Sequence, residues 1–208
     1  MSPPLLLVDY GIGNLGSAMK AFRHLGAEAV LSGEPRDLAT AGAIVLPGDG
    51  AFGASMDELR GRGLLEPLLQ AVRGGTPLLG ICIGMQLLFE ESDEFGPVRG
   101  LGVLPGRVVR FPPHAGRKVP QMGWNTLCIR QRTPMLEGIE DGAWVYFVHS
   151  YYPVPAEPAL VATSTPYGAE FASSVGRDNV FGTQFHPEKS QQVGLRLLAN
   201  FVRLVERS

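Results

Sequence analysis

The sequence has little that would indicate a secreted, membrane-bound or nucleic-acid-binding protein. Its 208 residues include only two cysteines, Cys82 and Cys128, too few for a disulfide framework. The 18 Lys and Arg against 20 Asp and Glu leave a net charge of −2, so we expect no general attraction to nucleic acid or to an anionic membrane. The longest uncharged apolar stretch, residues 77–89, is too short to span a bilayer.

Short motifs for metals and phosphates are missing as well. The sequence has no CxxC or HxxxH spacing, no carboxylate-rich calcium loop and no P-loop. Residues 1–11 have no basic stretch before their apolar run, so we interpret them as the start of a strand and not as a signal peptide. We therefore expect a cytoplasmic protein with one domain over residues 1–208 and no metal or cofactor.

Strand-like and helix-like segments alternate over the first ninety residues. A short continuous apolar run predicts a buried parallel strand at 5–8, and further strands are predicted at 27–31, 43–46 and 77–82. Helical periodicity predicts helices at 14–25, 55–59, 64–72 and 83–90. This alternation indicates an α/β fold with a mainly parallel central sheet flanked by helices.

The pattern changes after about residue 92. Residues 90–94 form an acidic cluster that we interpret as a solvated helix end: Glu90, Glu91, Asp93 and Glu94. Strand-like segments follow at 103–111, 125–129, 144–148, 160–164, 171–175 and 180–185, and an amphipathic helix is predicted at 194–205. The C-terminal half therefore predicts an antiparallel β region added to the α/β sheet.

The strongest local signal is Gly80-Ile81-Cys82-Ile83-Gly84, at a predicted junction of strand and helix. The form G-x-nucleophile-x-G is typical of a nucleophile elbow, a sharp turn that needs small neighbours. A cysteine at a helix N-terminus is favoured as the thiolate, and the next N–H would face an oxyanion formed on attack. The alternative is a small cysteine buried in an apolar strand.

A thiolate nucleophile needs a base, and the sequence offers four histidines. His24, His114 and His149 have no carboxylate arranged beside them. His186 follows a predicted strand, and Pro187 favours an extended backbone at His186. Residues two apart in an extended chain point the same way, so Glu188 would orient the imidazole of His186. The alternative is a surface ion pair at a strand end.

The loop after the third strand, Leu46-Pro47-Gly48-Asp49-Gly50, has glycines where a parallel strand ends. Such a loop can present backbone N–H groups to a ligand at the carboxyl edge of the sheet. The loop and Cys82 are expected on neighbouring strand ends, so their N–H groups would share one oxyanion. An ordinary turn is the alternative.

A second glycine-rich loop, Gly11-Ile12-Gly13-Asn14-Leu15-Gly16, matches G-x-G-x-x-G between a strand and a helix. That is the context of a dinucleotide-binding fingerprint, which also needs an acidic residue at the end of the second strand. Ser32 and Gly33 stand there instead, with Glu34 and Asp37 in the following loop. The match is incomplete and leaves an NAD-dependent oxidoreductase open as a hypothesis.

Taken together, these segments resemble the class I glutamine amidotransferases. The elbow at 80–84 and the motif Phe185-His186-Pro187-Glu188 are shared across that superfamily. More narrowly, the chain is similar to the glutaminase subunits of imidazole glycerol phosphate synthases. That similarity covers, in family order, the blocks 9–15, 79–86, 119–125, 146–152 and 184–190.

The resemblance implies Cys82 as nucleophile, His186 as general base and acid, and Glu188 as third triad member. It further implies oxyanion stabilisation at Gly48, Asp49 and Ile83, glutamine binding at Gly50, Gln86, Ser150 and Tyr151, and a partner interface at Asn14, Trp124, Tyr146 and Lys189. The implied substrate is glutamine, and the implied partner is a (β/α)8-barrel cyclase subunit of histidine biosynthesis that receives the ammonia. The loop at 11–16 would face this partner, which disfavours a dinucleotide there.

Asp49 departs from the family pattern, in which a small apolar residue, often Val, stands between the two glycines. A carboxylate beside a forming oxyanion is unfavourable, so we expect Asp49 to point outward. Three alternatives remain beside the main hypothesis: an amidotransferase subunit of another pathway, an NAD-dependent oxidoreductase, and a non-catalytic binding subunit that keeps the fold.

Overall fold

The structure, a computed structural model, describes residues 4–113 and 117–207. His114, one of the four histidines considered above, lies outside the described residues. The elements of the first part of the chain are β1 (Leu5–Val8), α1 (Leu15–His24), β2 (Ala29–Ser32), α2 (Pro35–Leu38), β3 (Ala43–Leu46), α3 (Phe52–Gly61), α4 (Leu65–Arg73), β4 (Leu78–Ile81) and α5 (Ile83–Leu87).

Strands dominate the rest of the chain. They are β5 (Phe89–Ser92), β6 (Val98–Arg99), β7 (Leu104–Arg110), β8 (Gln121–Thr126), β9 (Cys128–Ile129), β10 (Trp144–His149), β11 (Tyr151–Pro155), β12 (Val161–Tyr167), β13 (Ala169–Arg177) and β14 (Val180–Thr183). A long helix, α6 (Gln191–Arg207), closes the chain, and three short 3-10 helices lie at Pro134–Leu136, Pro158–Leu160 and Pro187–Lys189.

The main sheet has eight strands in the order β2-β1-β3-β4-β14-β13-β12-β9. The strands from β2 to β14 are parallel, and β13, β12 and β9 continue the sheet antiparallel. Two smaller sheets, β10-β8 and β11-β7-β5-β6, lie beside it. The predicted α/β fold, with a mainly parallel sheet and an added antiparallel region, is confirmed.

Continuous apolar runs form the central strands because both faces of the main sheet are covered. Every residue of β1, β3 and β4 is buried. Alternate side chains of β1 enter two different hydrophobic clusters, Leu6 and Val8 on one face and Leu5 and Leu7 on the other. No helix in the described part of the chain is long and apolar enough to cross a membrane.

The predicted helix at 83–90 is wrong in its last part. Helix α5 ends at Leu87, and Phe89–Ser92 form β5, which pairs with β6 and β7. Pairing with β7 overrides the local helical pattern, and it buries Phe89 while Glu90 stays exposed. The acidic cluster is therefore not a helix end. Local patterns also missed α2, β6 and β11.

Helix α6 holds the turn that follows β14. A Cβ on Gly194 would lie 1.8 Å from the carbonyl oxygen of Pro187, so only glycine permits this close contact. The hydroxyl of Ser190, just before α6, donates to the carbonyl of His186 at 2.6 Å and accepts from the N–H of Tyr146 at 3.0 Å. These contacts position the segment that carries His186 and Glu188.

We expect Gly194→Ala to lower the free energy of unfolding by about 1–3 kcal/mol, because the added methyl group forces α6 away from this turn. Gly61→Ala is the matched control: Gly61 is also helical and has no atom within 4 Å of an added Cβ. Urea unfolding of both variants measures the difference. Equal stability of the two variants would contradict the packing role of Gly194.

Candidate active site

The backbone at Cys82 forms a strained elbow between β4 and α5. Cys82 has φ 56° and ψ −110°, a conformation that L residues rarely adopt. A Cβ on Gly80 would lie 2.6 Å from the carbonyl oxygen of Gly84, and one on Gly84 would lie 1.8 Å from that of Leu46. The N–H of Cys82 donates to the carbonyl of Thr183 at 2.7 Å. The elbow predicted from the glycine spacing is present, and a plain strand cysteine is excluded.

A cavity of about 250 Å³ opens over the elbow. It gathers eight of the residues singled out from the sequence: Asp49, Gly50, Cys82, Ile83, Gln86, Ser150, Tyr151 and His186. Residues missed by the sequence analysis complete its wall, among them Glu94, Val148 and His149. A larger depression of about 570 Å³ lies over α6 and residues 138–143 and holds none of the predicted site residues.

His186 and Glu188 form a buried pair beside Cys82. The Nδ1–H of His186 donates to Oε1 of Glu188 at 2.8 Å, and the two side chains are 4% and 3% exposed. Burial alone would lower the pKa of His186, but Cys82 and Glu188 outweigh burial and raise this pKa to about 10. Nε2 of His186 finds no hydrogen-bond partner among the described residues, so it is the nitrogen left for proton transfer.

Gly48 lies tightly against the elbow. A Cβ on Gly48 would approach the hydroxyl of Tyr10 to 2.5 Å and Cβ of Ile83 to 3.0 Å. The Tyr10 hydroxyl donates to the carbonyl of Pro47 at 2.8 Å, and burial raises the pKa of Tyr10, so this donor keeps its proton. The loop predicted to supply oxyanion donors is therefore adjacent to the N-terminus of α5.

Asp49 is exposed and also contributes to the cavity wall. Exposure agrees with an outward-pointing carboxylate, but the direction of the carboxylate relative to Cys82 stays a prediction. The glycine-rich loop at 11–16 packs on the same segment, since a Cβ on Gly13 would lie 3.4 Å from Cα of Gly48. Gly13 therefore supports the loop next to the cavity.

Gln86 lies at the cavity floor and leaves one acceptor free. Its Nε2 donates to the carbonyl of Tyr151 at 3.0 Å and to Oε1 of Gln184 at 3.1 Å. Its Oε1 is buried without a hydrogen-bond partner among the described residues. A buried orphan acceptor beside a cavity is a contact point for a donor on a ligand.

His149 is buried and neutral. Burial lowers its pKa to about 4, so at neutral pH it carries one ring proton. Its Nδ1–H donates to the carbonyl of Tyr151 at 2.8 Å. Its unprotonated Nε2 lies 3.1 Å from Oε1 of Gln121 and accepts there when the Gln121 amide is turned to present its NH₂ group. Both ring nitrogens are occupied, so His149 is a structural group of the cavity wall and not the base.

Two side chains, one in the cavity wall and one behind it against Cys82, were not singled out from the sequence. Glu94 reaches the wall from the loop after β5, and its Oε2 accepts from the N–H of Phe52 at 2.7 Å. No local pattern signals this position. Gln184, in contrast, lies two residues before His186 in the same segment. The extended chain predicted at 186–188 is wrong, because Pro187–Lys189 form a 3-10 helix and this helical turn brings Glu188 to His186.

Three of the four predicted interface residues lie together. The rings of Trp124 and Tyr146 meet edge to face with centroids 6.1 Å apart, and Nζ of Lys189 lies 6.0 Å from the Tyr146 ring centroid. Asn14 is exposed and caps α1, where its Oδ1 accepts from the N–H of Ser17 at 3.3 Å. Among the residues that the structure describes, no cluster of three or more His, Cys, Asp or Glu could hold a metal.

Comparison with known proteins gives one consistent family. Residues 6–205 match the family described as glutamine amidotransferase class-I. Imidazole glycerol phosphate synthase subunit HisH of Syntrophotalea carbinolica is 51% identical over 202 residues, which cover 95% of this chain and 98% of that protein. The subunit HisH of Geobacillus thermodenitrificans is 52% identical over 203 residues, covering 96% of this chain and 95% of that protein.

A solved structure supports the fold alone. PurLQS from Thermotoga maritima matches with a TM-score of 0.77 at 20% identity, covering 98% of this chain and 99% of that chain. These comparisons favour an amidotransferase over the dinucleotide-binding alternative that the glycine-rich loop had left open.

The raised pKa of His186 predicts a pH dependence of stability. The folded chain keeps the proton of His186 up to a pKa of about 10, whereas the unfolded chain releases it near 6.5. This stabilisation is fully present below pH 6.5 and is lost as the pH rises through 10. We expect the free energy of unfolding to fall more steeply over this interval in wild type than in His186→Asn, measured by urea unfolding.

His24→Asn is the control for this measurement, because His24 is exposed at the end of α1. Its stability should follow that of wild type across the whole interval. Parallel curves for wild type and His186→Asn would show that His186 does not hold a stabilising proton.

Proposed function

The chain belongs to the class I glutamine amidotransferases and, within them, to the HisH subunits of imidazole glycerol phosphate synthase, an enzyme of histidine biosynthesis; on this premise we propose that Cys82, His186 and Glu188 are its catalytic triad. The single observation that carries the proposal is the buried His186–Glu188 pair, which lines one cavity with the strained Cys82. The proposed reaction is hydrolysis of glutamine to glutamate, with transfer of the ammonia to a partner.

The proposed chemistry is acyl transfer through a thioester. The proton from Sγ of Cys82 already resides on Nε2 of His186 at neutral pH, because the pKa of His186 is raised to about 10, and the thiolate attacks the side-chain carbonyl carbon of glutamine. His186 then returns the proton to the departing nitrogen, ammonia leaves, and a γ-glutamyl thioester remains. Water that gives a proton to His186 attacks the thioester, and glutamate and the free thiol are released.

Glu188 acts through His186. Its carboxylate accepts a hydrogen bond from the Nδ1–H, which leaves Nε2 as the nitrogen that exchanges protons with Cys82. The carboxylate also stabilises the imidazolium formed when the thiol loses its proton. Burial of both side chains strengthens this interaction, because little water competes for it.

We place the oxyanion hole between two backbone segments. The N–H of Ile83 is one of the first in α5, where helix N–H groups have no partner within the helix. The segment Gly48-Asp49 lies against Ile83 and supplies the second N–H. The Tyr10 hydrogen bond to Pro47 supports this position, because it holds the carbonyl at the start of the segment.

The cavity suits the polar ends of a glutamine molecule. We propose that Gly50, Gln86, Ser150 and Tyr151 bind it, and that the free Oε1 of Gln86 accepts a hydrogen bond from it. We add Glu94 to this set. Its carboxylate lies in the cavity wall, and an α-ammonium group is the positive charge that the substrate offers to it.

An apolar face beside the cavity supports a partner there. Strands β8 and β10 pair so that Met122, Trp124 and Trp144 share one face, exposed to 66%, 42% and 58%. Large exposed apolar patches mark interaction sites. The same strand β10 reaches the nucleophile, since the carbonyl of Val148 lies 3.8 Å from Sγ of Cys82.

We propose that this face, together with Tyr146, Lys189 and Asn14, binds the (β/α)8-barrel cyclase subunit. Ammonia is mostly protonated in water at neutral pH and then cannot attack an acceptor. A partner docked beside the cavity would receive it before it reaches solvent. The two free cysteines fit a reducing compartment, so we place this complex in the cytoplasm. One domain over residues 1–208 stays a prediction.

We expect Cys82→Ala to lower glutamine-dependent synthesis by the complex about 10⁴-fold or more, because the nucleophile is lost. Synthesis from added ammonium should stay at the wild-type rate, since the acceptor site lies on the partner. The assay mixes the chain with a candidate cyclase and follows product with each nitrogen source. Cys128→Ala, the other free cysteine, is the matched control and should behave as wild type.

Retained glutamine use by Cys82→Ala would refute the proposed nucleophile and favour a non-catalytic binding subunit. Normal folding of the variant is verified by its ammonium-dependent rate in the complex.

We expect Glu94→Gln to raise KM for glutamine about 10- to 100-fold, because a hydrogen bond to a charged group contributes about 1.5–3 kcal/mol. The amide oxygen introduced at position 94 can still accept a hydrogen bond from the N–H of Phe52, so the loop after β5 keeps its position. Steady-state glutaminase kinetics of the complex measure the change. Glu91→Gln, a substitution at an exposed carboxylate on β5, serves as the control and should leave KM unchanged.

A further inference from the structure

We propose that Gln184 is a further catalytic residue, whose side-chain amide donates a hydrogen bond to the Cys82 sulfur and stabilises the thiolate. Gln184 is fully buried, and its Nε2 lies 3.7 Å from Sγ of Cys82. The proposal rests on the proposed glutaminase chemistry, in which that thiolate is the nucleophile.

A fixed acceptor sets the orientation of the Gln184 amide. The backbone carbonyl of Tyr151 can only accept, so the Gln86 atom 3.0 Å from it is the amide nitrogen. The same nitrogen lies 3.1 Å from the Gln184 side chain, so the atom facing it there is the Gln184 oxygen. The other end of that side chain, next to Cys82, is therefore the NH₂ group.

His149 secures the start of this chain of hydrogen bonds. Its Nδ1–H donates to the same Tyr151 carbonyl at 2.8 Å. Two donors, from Gln86 and from His149, therefore hold one buried backbone acceptor. Rotation of the Gln86 amide would place its oxygen against that carbonyl, which is repulsive, so the assignment of both amides is stable.

The sulfur has two polar contacts with opposite preferences. The carbonyl of Val148, 3.8 Å away, can accept from the thiol but repels a thiolate. The Gln184 amide can donate to a thiolate, and hydrogen bonds to charged groups are stronger than neutral ones. Transfer of the Sγ proton to His186 therefore strengthens the contact with Gln184. The amide acts where charge develops, as an oxyanion donor does.

The side-chain amides of Gln86 and Gln184 connect the proposed glutamine-binding site with the sulfur of Cys82. The free Oε1 of Gln86 is the proposed contact for glutamine, and the nitrogen of the same amide holds Gln184. A ligand that orders Gln86 therefore also orders the donor next to Cys82. The titratable groups around the sulfur are Tyr10, Asp49, Glu94, His149, Tyr151, His186 and Glu188, and a Gln184 substitution changes none of these residues.

The first test is the pH profile of Cys82 alkylation by iodoacetamide, in a Cys128→Ala background. Gln184→Met keeps the side-chain length and removes the donor. We expect the midpoint of the profile to rise by about one pH unit, which corresponds to a fall of up to about tenfold in the rate at neutral pH. In the complex with the cyclase subunit, kcat for glutamine should fall about tenfold while KM changes by less than about threefold.

Two further variants separate a local effect from a general one. Gln184→Glu keeps an oxygen toward Gln86 and places a second oxygen beside the sulfur, so it should shift the midpoint further than Gln184→Met. Thr183→Val alters the neighbouring buried residue, whose hydroxyl donates to the carbonyl of Phe185 at 3.0 Å, and should leave the midpoint unchanged. An equal shift in Thr183→Val would show a merely structural effect and overturn the proposal.

An unchanged alkylation profile in Gln184→Met would also overturn it. If the Gln184 variants do not fold, an NMR pH titration of the Gln184 side-chain amide in the wild-type chain is the test. The amide chemical shift should change with pH at the midpoint of the Cys82 alkylation profile, and this change should be absent in Cys82→Ala. Absence of the change in the wild-type chain overturns the proposal. Alkylation reports on the sulfur without substrate, whereas failure of the glutaminase proposal shows as glutamine use by Cys82→Ala, so the two outcomes are distinct.

Discussion

The candidate site depends on the parallel pairing of β4 with β14 at the middle of the main sheet. Where this pairing ends, the N–H of Cys82 donates to the carbonyl of Thr183, so the elbow and the strand that leads to His186 are joined backbone to backbone. In sequence, 102 positions separate Cys82 from Gln184. Two rigid strands hold such distant residues at a fixed distance, which a flexible loop between them would not do. Sulfur, imidazole and the Gln184 amide therefore meet in one place.

Two buried histidines of this site have opposite protonation, and the acidic partners of one of them, Cys82 and Glu188, explain the difference. Cys82 and Glu188 together overcome the burial of His186 and raise its pKa to about 10. His149 is also buried but has no such acidic partner, so burial dominates and lowers its pKa to about 4. The first can exchange protons with a nucleophile, and the second is a fixed donor to a backbone carbonyl. Two histidines of one cavity therefore have different roles, His186 in proton transfer and His149 in holding a backbone carbonyl.

Local sequence patterns predicted those elements whose conformation depends mainly on neighbouring residues. The buried runs of β1, β3 and β4 follow from burial of both sheet faces, and the elbow follows from glycines two residues either side of Cys82. The prediction of a helix over 83–90 failed where pairing of β5 with β7 competes with helical periodicity. The local pattern of β5 does not show that it pairs with a distant strand, and the same holds for the short strands β6 and β11.

Residue spacing singled out Cys82, His186 and Glu188 as candidates, because the elbow at Cys82 is set by a few neighbouring residues. The extended chain predicted at 186–188 was wrong, since a 3-10 helix over Pro187–Lys189 carries Glu188. Glu94 was misplaced on a solvated surface, since only the folding of the loop after β5 brings its carboxylate to the cavity. The free oxygen of Gln86 and the neutral state of His149 likewise arise from contacts between segments far apart in the chain. Burial and the choice of hydrogen-bond partners belong to the assembled molecule, and no short stretch of residues encodes them.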